Sequence, residues 1–365
     1  MWQRSIRTMK AAVLWERRTP LKIEEIDLAD LEPGDARVKI QASGVCHSDL
    51  HHINRETPFK PPLILGHEGA GVVEAVGPGV TSVQPGDRVT IMFGSKCGNC
   101  HFCNTGEDYL CTTPLPGYPR FIRKEERFTQ LLGVGSFAEY VNVSASNLVK
   151  VPEELPIECA ALLACGVTTG LGATTSTVNV KPGDTVAVIG VGGVGMNVVQ
   201  GAALAGASRV IAVDLVERKL ELAQQFGATH LVNAGDTDAV QEIKNLTHGR
   251  GADYVFEVIG RPETIKQAYD AARNGGTAVV VGLGASDEEV GFNLNELMRS
   301  GKAIQGCFYG SVRPHADIPR YIDLYLDGRI KIDQLISRRF KLEQVNEAFD
   351  ALKAGEVARG VIMYE

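Results

Sequence analysis

Between residues 10 and 155 the apolar positions come in short runs closed by turn residues, as in ARVKIQASG, GAGVVEAVGPGV and GDRVTIMFG. Runs of this length bounded by Gly, Pro and Asp read as strands, and the segment is expected to be an all-β unit with loops. From about Asp184 the pattern changes. DTVAVIG, SRVIAVD, HLVNA, ADYVFEVIG, GTAVVVGLG and KAIQGCFYG read as six strands, separated by helical patterns such as VERKLELAQQFG, DAVQEIKNL, PETIKQAYDAARN and NLNELMRSG. Strand and helix in alternation predict a doubly wound parallel sheet. After Gly310 two amphipathic helical patterns, IPRYIDLYLDG and LEQVNEAFDALKAG, lead into a β-like GVIMYE. Periodicity leaves open whether this tail extends the second domain or returns to the first.

The chain has 365 residues, which favours two domains over one core. An apolar share of 44% and a charged share of 22% are those of a globular protein rather than a disordered one. A net charge of −7 offers no basic footprint for nucleic acid or an anionic membrane, so small-molecule chemistry is favoured. No apolar run approaches the roughly 20 residues of a membrane span, and MWQRSIRTMKAAVLWERR lacks the apolar core of a signal peptide. The expected location is therefore cytoplasmic, and the eight cysteines point to metal or catalysis rather than disulfides.

Directly after the first strand of the alternating series stands GVGGVG, Gly190 to Gly195, with a helix expected to open near Val194. Gly190 permits a tight turn, Gly192 lets backbone approach a pyrophosphate, and Gly195 allows close packing of helix on strand, with Gly193 and Val194 between them. The helix N-terminus then offers free N–H groups and a positive dipole end. Nineteen residues on, Asp214 ends the second strand, where a carboxylate accepts from a ribose diol and repels a 2′-phosphate, so NAD is expected over NADP. Cys97, Cys100, Cys103 and Cys111 form CxxCxxCx7C. Four thiolates at this spacing close on one Zn²⁺ with no open position, a structural site. An iron–sulfur cluster uses similar spacing and stays open at this point.

The strings GVCHSDLHH, GHEGAGVVEAVGPGV, CGNCHFCNTGEDYLC, LLACGVTTG and GVGGVG occur in this order, and together they resemble the zinc-dependent medium-chain alcohol dehydrogenase family over about residues 10 to 365. The resemblance implies an α/β protein: a GroES-like catalytic domain, 1–166 completed by 309–365, and a Rossmann domain, 167–308. It implies a catalytic zinc on Cys46, His67 and Cys165, with the fourth position open. Glu68 matches a carboxylate near that metal, although pairing with an unseen Arg is an equal alternative. Asp49 matches the partner of the zinc histidine. Cys159 and Cys307 match no ligand and read as small core residues.

The same resemblance places Ser48 and His51 in a proton relay, Thr169 and Val194 against the nicotinamide, and Lys219 beside the adenosine ribose. Arg359 matches a phosphate contact, and His47 stands where many relatives carry Arg against the pyrophosphate. Phe93 matches a pocket wall, with Thr112 to Phe137 as part of the rim. The implied reaction is reversible oxidation of primary or secondary alcohols with NAD, by a homodimer or homotetramer, in which the sixth strand pairs edge to edge. A thiol-adduct formaldehyde dehydrogenase is the main alternative, with Arg120, Arg123, Lys124 and Arg127 as candidate contacts for a charged thiol carrier. A zinc-free reductase or binding relative is disfavoured, because all three catalytic and all four structural ligand positions are filled.

Overall fold

The computed structural model describes residues 7–55, 57–94, 96–114, 120–124 and 126–365. It divides into two compact units, 1–165 with 313–365 and 166–312. The sequence places the boundaries at 166/167 and 308/309, so Gly166 and residues 309–312 fall in the second unit instead. The reason is close packing: a Cβ on Gly172 would stand 2.5 Å from the Gly310 carbonyl oxygen, so the turn at Tyr309–Ser311 lies directly on the helix Gly166–Gly172.

In the first unit, five of the described strands close a small barrel: Arg7–Leu14, Lys22–Leu28, Phe121–Arg123, Glu126–Gln130 and Leu63–Ile64. A second sheet centres on the long strand Asp35–Val45, which pairs antiparallel with Glu68–Val76, Tyr140–Ser144 and Arg359–Met363. The tail therefore returns to the first unit, and the register Gly360↔Val45 settles what periodicity left open. Helix Val345–Lys353 accompanies it and buries Val345, Ala348, Phe349, Ala351 and Leu352 against Leu14, Leu65, Phe137 and Phe340. The Val, Leu and Phe side chains among these each contribute about 1.5–3 kcal/mol on burial. The all-β expectation for 10–155 needs one correction: helices His47–Asn54 and His101–Thr105 interrupt the strands.

The second unit holds the expected doubly wound sheet. Its described strands, all parallel, lie in the order His230–Asn233, Arg209–Asp214, Thr185–Ile189, Ala252–Glu257, Ala272–Val280, Ala303–Gly306. The chain order is thus third, second, first, fourth, fifth, sixth, and the direction of winding reverses between Thr185–Ile189 and Ala252–Glu257, where such folds bind ligands. Val186, Ala187 and Val188 are fully buried, as expected of a parallel strand covered on both faces. Helix Pro262–Ala271 stops three residues short of the helical pattern, because Ala272 already pairs with Ala252 and Arg273 reaches across to Asp253. Among the described residues no single helix is long and apolar enough to cross a membrane.

Candidate functional site

Cys46 follows the strand Asp35–Val45 and caps the helix His47–Asn54, while His67 immediately precedes the strand Glu68–Val76. These strands pair with Gly44 opposite Glu68, so the register brings Cys46 and His67 together across 21 residues of chain. Cys165 arrives after the helix Ile157–Leu163. The ligand atoms of Cys46, His67, Glu68 and Cys165 lie within 4.8 Å of one another, and all four residues are buried.

Asp49, fully buried, bonds His67 Nδ1 through Oδ1 at 3.1 Å, and the same oxygen accepts from Gly66 N at 2.9 Å. His67 Nε2 is left buried with no hydrogen-bond partner among the described residues. The neighbouring Cys165 thiol, and then His67, hold Cys46 well below the usual thiol range against the opposing effect of burial. Burial pulls His67 down, but the Asp49 carboxylate and Cys46 outweigh it and raise the imidazole to about 10. The donor set thus attracts positive charge to its centre. Two sulfurs and an orphaned imidazole nitrogen, with the other nitrogen held by a carboxylate, fit a zinc ion with an open position.

Glu68 is engaged by Arg359, and both side chains are buried. This realises the alternative pairing and corrects the expectation for Arg359: its guanidinium sits on Glu68, because a buried cation needs a carboxylate partner. Arg359 Nε has no partner among the described residues. A Cβ on Gly44 would overlap Glu68 Oε2 and stand 3.0 Å from Arg359 Nη2, so the pair exists only because position 44 is glycine.

On the helix His47–Asn54, Ser48 and His51 stand three residues apart, on one face. Ser48 Oγ lies 3.8 Å from Cys46 Sγ. His51 is half-buried, and burial, then Arg55 and His47, lower it to about 4. His47 is exposed at the first helical position. Phe93 is buried with its ring edge-on to His67, centroids 5.7 Å apart. Arg17, which no sequence signal singles out, holds the far end of this helix by donating to the carbonyls of His52, Arg55, Thr57 and Phe59.

Cys97, Cys100, Cys103 and Cys111 also bring their sulfurs within 4.8 Å of one another. The pairs Cys97–Cys103 and Cys100–Cys111 stand 3.9 and 3.8 Å apart, and all eight cysteines are free. Disulfide sulfurs would lie near 2.05 Å. Four sulfurs at about 2.3 Å from a tetrahedral zinc lie about 3.8 Å apart, which matches. Hydrogen bonds from Thr113 and the Asn99 backbone lower Cys97 to about 6, whereas desolvation raises Cys103 to about 12.

In the second unit Gly190 has φ of +91°, and the helix Gly193–Leu204 opens one residue before the expected Val194. A Cβ on Gly195 would overlap the Gly190 carbonyl, whereas one on Gly192 would meet nothing within 4 Å. The open space over Gly192, beside the free N–H groups of the helix start, fits a pyrophosphate. Asp214 Oδ2 accepts from Val191 N at 3.0 Å and Oδ1 from Val216 N at 3.1 Å, with Lys219 Nζ 3.8 Å away. Both oxygens therefore also hold backbone, and each keeps a second lone pair for a ribose hydroxyl. Thr169 is buried on the helix Gly166–Gly172, where a Cβ on neighbouring Gly170 would stand 2.6 Å from Val194 O. Leu215 and Ile259 stand exposed at the carboxyl ends of their strands, and a lone apolar residue after a strand carries no sequence signal.

Two of the four basic rim residues are committed. Arg120 is buried in a two-pronged pair with Asp35, at 2.7 and 3.0 Å, and Arg123 bonds Glu24 and Glu126 beneath Trp15. Lys124 and Arg127 are exposed, while 115–119 and 125 of the rim segment lie outside the described residues. Cys159 and Cys307 are buried, beside Tyr325 and Thr177 respectively.

The alcohol dehydrogenase GroES-like domain family matches residues 32–153, and the zinc-binding dehydrogenase family matches residues 193–327. The chain is 41% identical over 367 residues to the NDMA-dependent alcohol dehydrogenase of Amycolatopsis methanolica, covering 97% of this chain and 98% of that one. It is 36% identical over 370 residues to the S-(hydroxymethyl)glutathione dehydrogenase of Candida maltosa, covering 97% of each. The crystal structure of benzyl alcohol dehydrogenase from Acinetobacter calcoaceticus matches with a TM-score of 0.92 at 33% identity, covering 98% of this chain and 100% of that one.

Proposed function

The chain belongs to the zinc-dependent medium-chain alcohol dehydrogenase family, and from that premise we propose that it reversibly oxidises primary or secondary alcohols to aldehydes or ketones with NAD. Zinc would be held catalytically by Cys46, His67 and Cys165 and structurally by Cys97, Cys100, Cys103 and Cys111. The observation that carries this reading is the buried donor set around an orphaned His67 Nε2. When bound, the catalytic zinc acidifies an alcohol hydroxyl and NAD accepts the hydride.

The chain's own residues do the rest. Asp49 fixes the His67 tautomer so that Nε2 faces the site. Ser48 Oγ takes the hydroxyl proton and passes it to His51, which is neutral near pH 7 and ready to accept it. Phe93 supplies an apolar wall that excludes water, and Thr169 and Val194 orient the nicotinamide. Asp214 and Lys219 take the ribose, and His47 takes phosphate. The Rossmann unit serves the coenzyme and the GroES-like unit the alcohol. The exposed edge strand Ala303–Gly306, which carries exposed Ile304 and is followed by exposed Phe308, is the surface through which copies would pair. The expected compartment is the cytoplasm.

The test is a panel of alcohols, aldehydes and hydroxymethyl-thiol adducts assayed with NAD(H), with and without an external acceptor such as NDMA, alongside a zinc count. Alcohol turnover with about two zincs per chain, falling to one in Cys46→Ser with the fold retained, is expected. Preference for thiol adducts would move the substrate class, and preference for NADP would overturn the reading of Asp214. The commitment of Arg120 and Arg123 to carboxylates leaves only Lys124 and Arg127 as candidate contacts for a charged thiol carrier at this rim.

A further inference from the structure

Glu257 ends the fourth strand of the parallel sheet, directly opposite Ile189, at the point where the winding reverses. Its side chain is fully buried, yet it neutralises no cation that the structure shows. Instead Oε1 alone gathers three donors: Ile259 N at 2.9 Å, Gly260 N at 2.7 Å and Thr264 Oγ1 at 2.7 Å. Oε2 has no partner among the described residues. The Glu257 carbonyl takes the amides of Val281 and Gly282 at 2.8 and 3.0 Å. One residue therefore ties down both loops that follow the fourth and fifth strands.

Those loops are in backbone contact. A Cβ on Gly260 would stand 2.5–2.7 Å from Leu283 backbone atoms, and one on Gly282 would overlap Gly260 N. They are also keyed to the glycine turn, since a Cβ on Gly190 would stand 2.6 Å from Ile259 Cγ1. Ile259 and Leu283 are left exposed. We propose that Glu257 is a positioning residue for the coenzyme: its carboxylate holds the 258–261 loop so that Ile259 forms a preset wall beside the pyrophosphate turn. Preset walls raise affinity by removing an ordering cost at binding. A single oxygen suits this place because the loop amides of Ile259 and Gly260 and the hydroxyl of Thr264, in the first turn of the helix Pro262–Ala271, all converge on it.

The inference rests on the proposed NAD site, and calorimetric titration of the full chain with NAD separates the two. Glu257→Ala strands the Ile259 and Gly260 amides, leaves Thr264 Oγ1 only the Arg261 carbonyl, and should raise the NAD dissociation constant about tenfold or more. The zinc count, and kcat at saturating NAD, should stay near wild type. Glu257→Gln keeps an oxygen for the same three donors and should stay within about threefold of wild type. Thr264→Val removes one donor and should weaken NAD a few-fold. If wild type binds NAD and both Glu257→Ala and Thr264→Val bind it equally well, Glu257 does not position the site. If Glu257→Ala does not fold, Thr264→Val decides alone, and unchanged affinity overturns the proposal. A wild-type chain that binds no NAD would instead bring down the coenzyme reading itself.

Discussion

Removing the metal from the four-cysteine lobe should unfold that lobe and little else. No residue described between Lys96 and Thr112 is buried, and the helix His101–Thr105 has only five residues. The largest apolar side chains there, half-buried Phe102 and exposed Leu110, each supply less than the about 1.5–3 kcal/mol of a fully buried residue. Ordering the backbone costs about 1–2 kcal/mol per residue. Local burial therefore cannot hold the lobe, whereas a structural zinc contributes about 10–16 kcal/mol. The Sγ separations of 3.8 and 3.9 Å show that the fold presents the sulfurs at zinc-tetrahedral spacing. Cys103→Ser should therefore drop the zinc count from about two to about one per chain. Amide exchange across 97–111 should rise to unprotected rates while the strands Asp35–Val45 and Thr185–Ile189 stay protected, read by mass spectrometry of peptic fragments. If the 97–111 amides keep wild-type protection without metal, local packing holds the lobe and this reasoning fails.

Three other outcomes are expected. Gly44→Ala places a methyl on the buried Glu68–Arg359 pair, and separating such a pair costs about 3–5 kcal/mol; thermal unfolding at fixed zinc should show a fall of many degrees, and a shift under 2 °C, read as roughly 1 kcal/mol or less, would contradict it. His51 and His52 are both lowered from 6.5 to about 4, by burial first. The folded state then binds fewer protons than the unfolded one, so stability present above about 6.5 is lost as pH falls toward 4. His51→Gln/His52→Gln should flatten that loss in denaturant titrations, and His51→Gln alone should slow alcohol oxidation most at low pH, with added base restoring it; an unchanged pH profile would send the proton elsewhere. His47→Arg should slow NADH release, measured by stopped-flow displacement, because Arg holds phosphate with a fixed fork; equal rates would remove His47 from the phosphate site.

Features whose parts lie within a few residues were legible from the chain itself. Cys97 to Cys111 and Gly190 to Gly195 are local, so spacing alone implied a closed metal site and a phosphate turn. The strand and helix periods from Asp184 onward implied the parallel sheet, because each period reports which face of an element is buried. What joins distant residues was decided by tertiary structure. Cys46 and His67 meet because the antiparallel register sets Gly44 opposite Glu68, and periodicity carries no register across 21 residues. The family pattern matches Arg359 to a phosphate contact, whereas the strand it begins carries it onto Glu68. Glu257 showed nothing in sequence beyond an acid closing an apolar run. Its three donors converge only once the loop folds back, because a hydrogen-bond acceptor is chosen by where the chain's ends meet and not by what stands beside it.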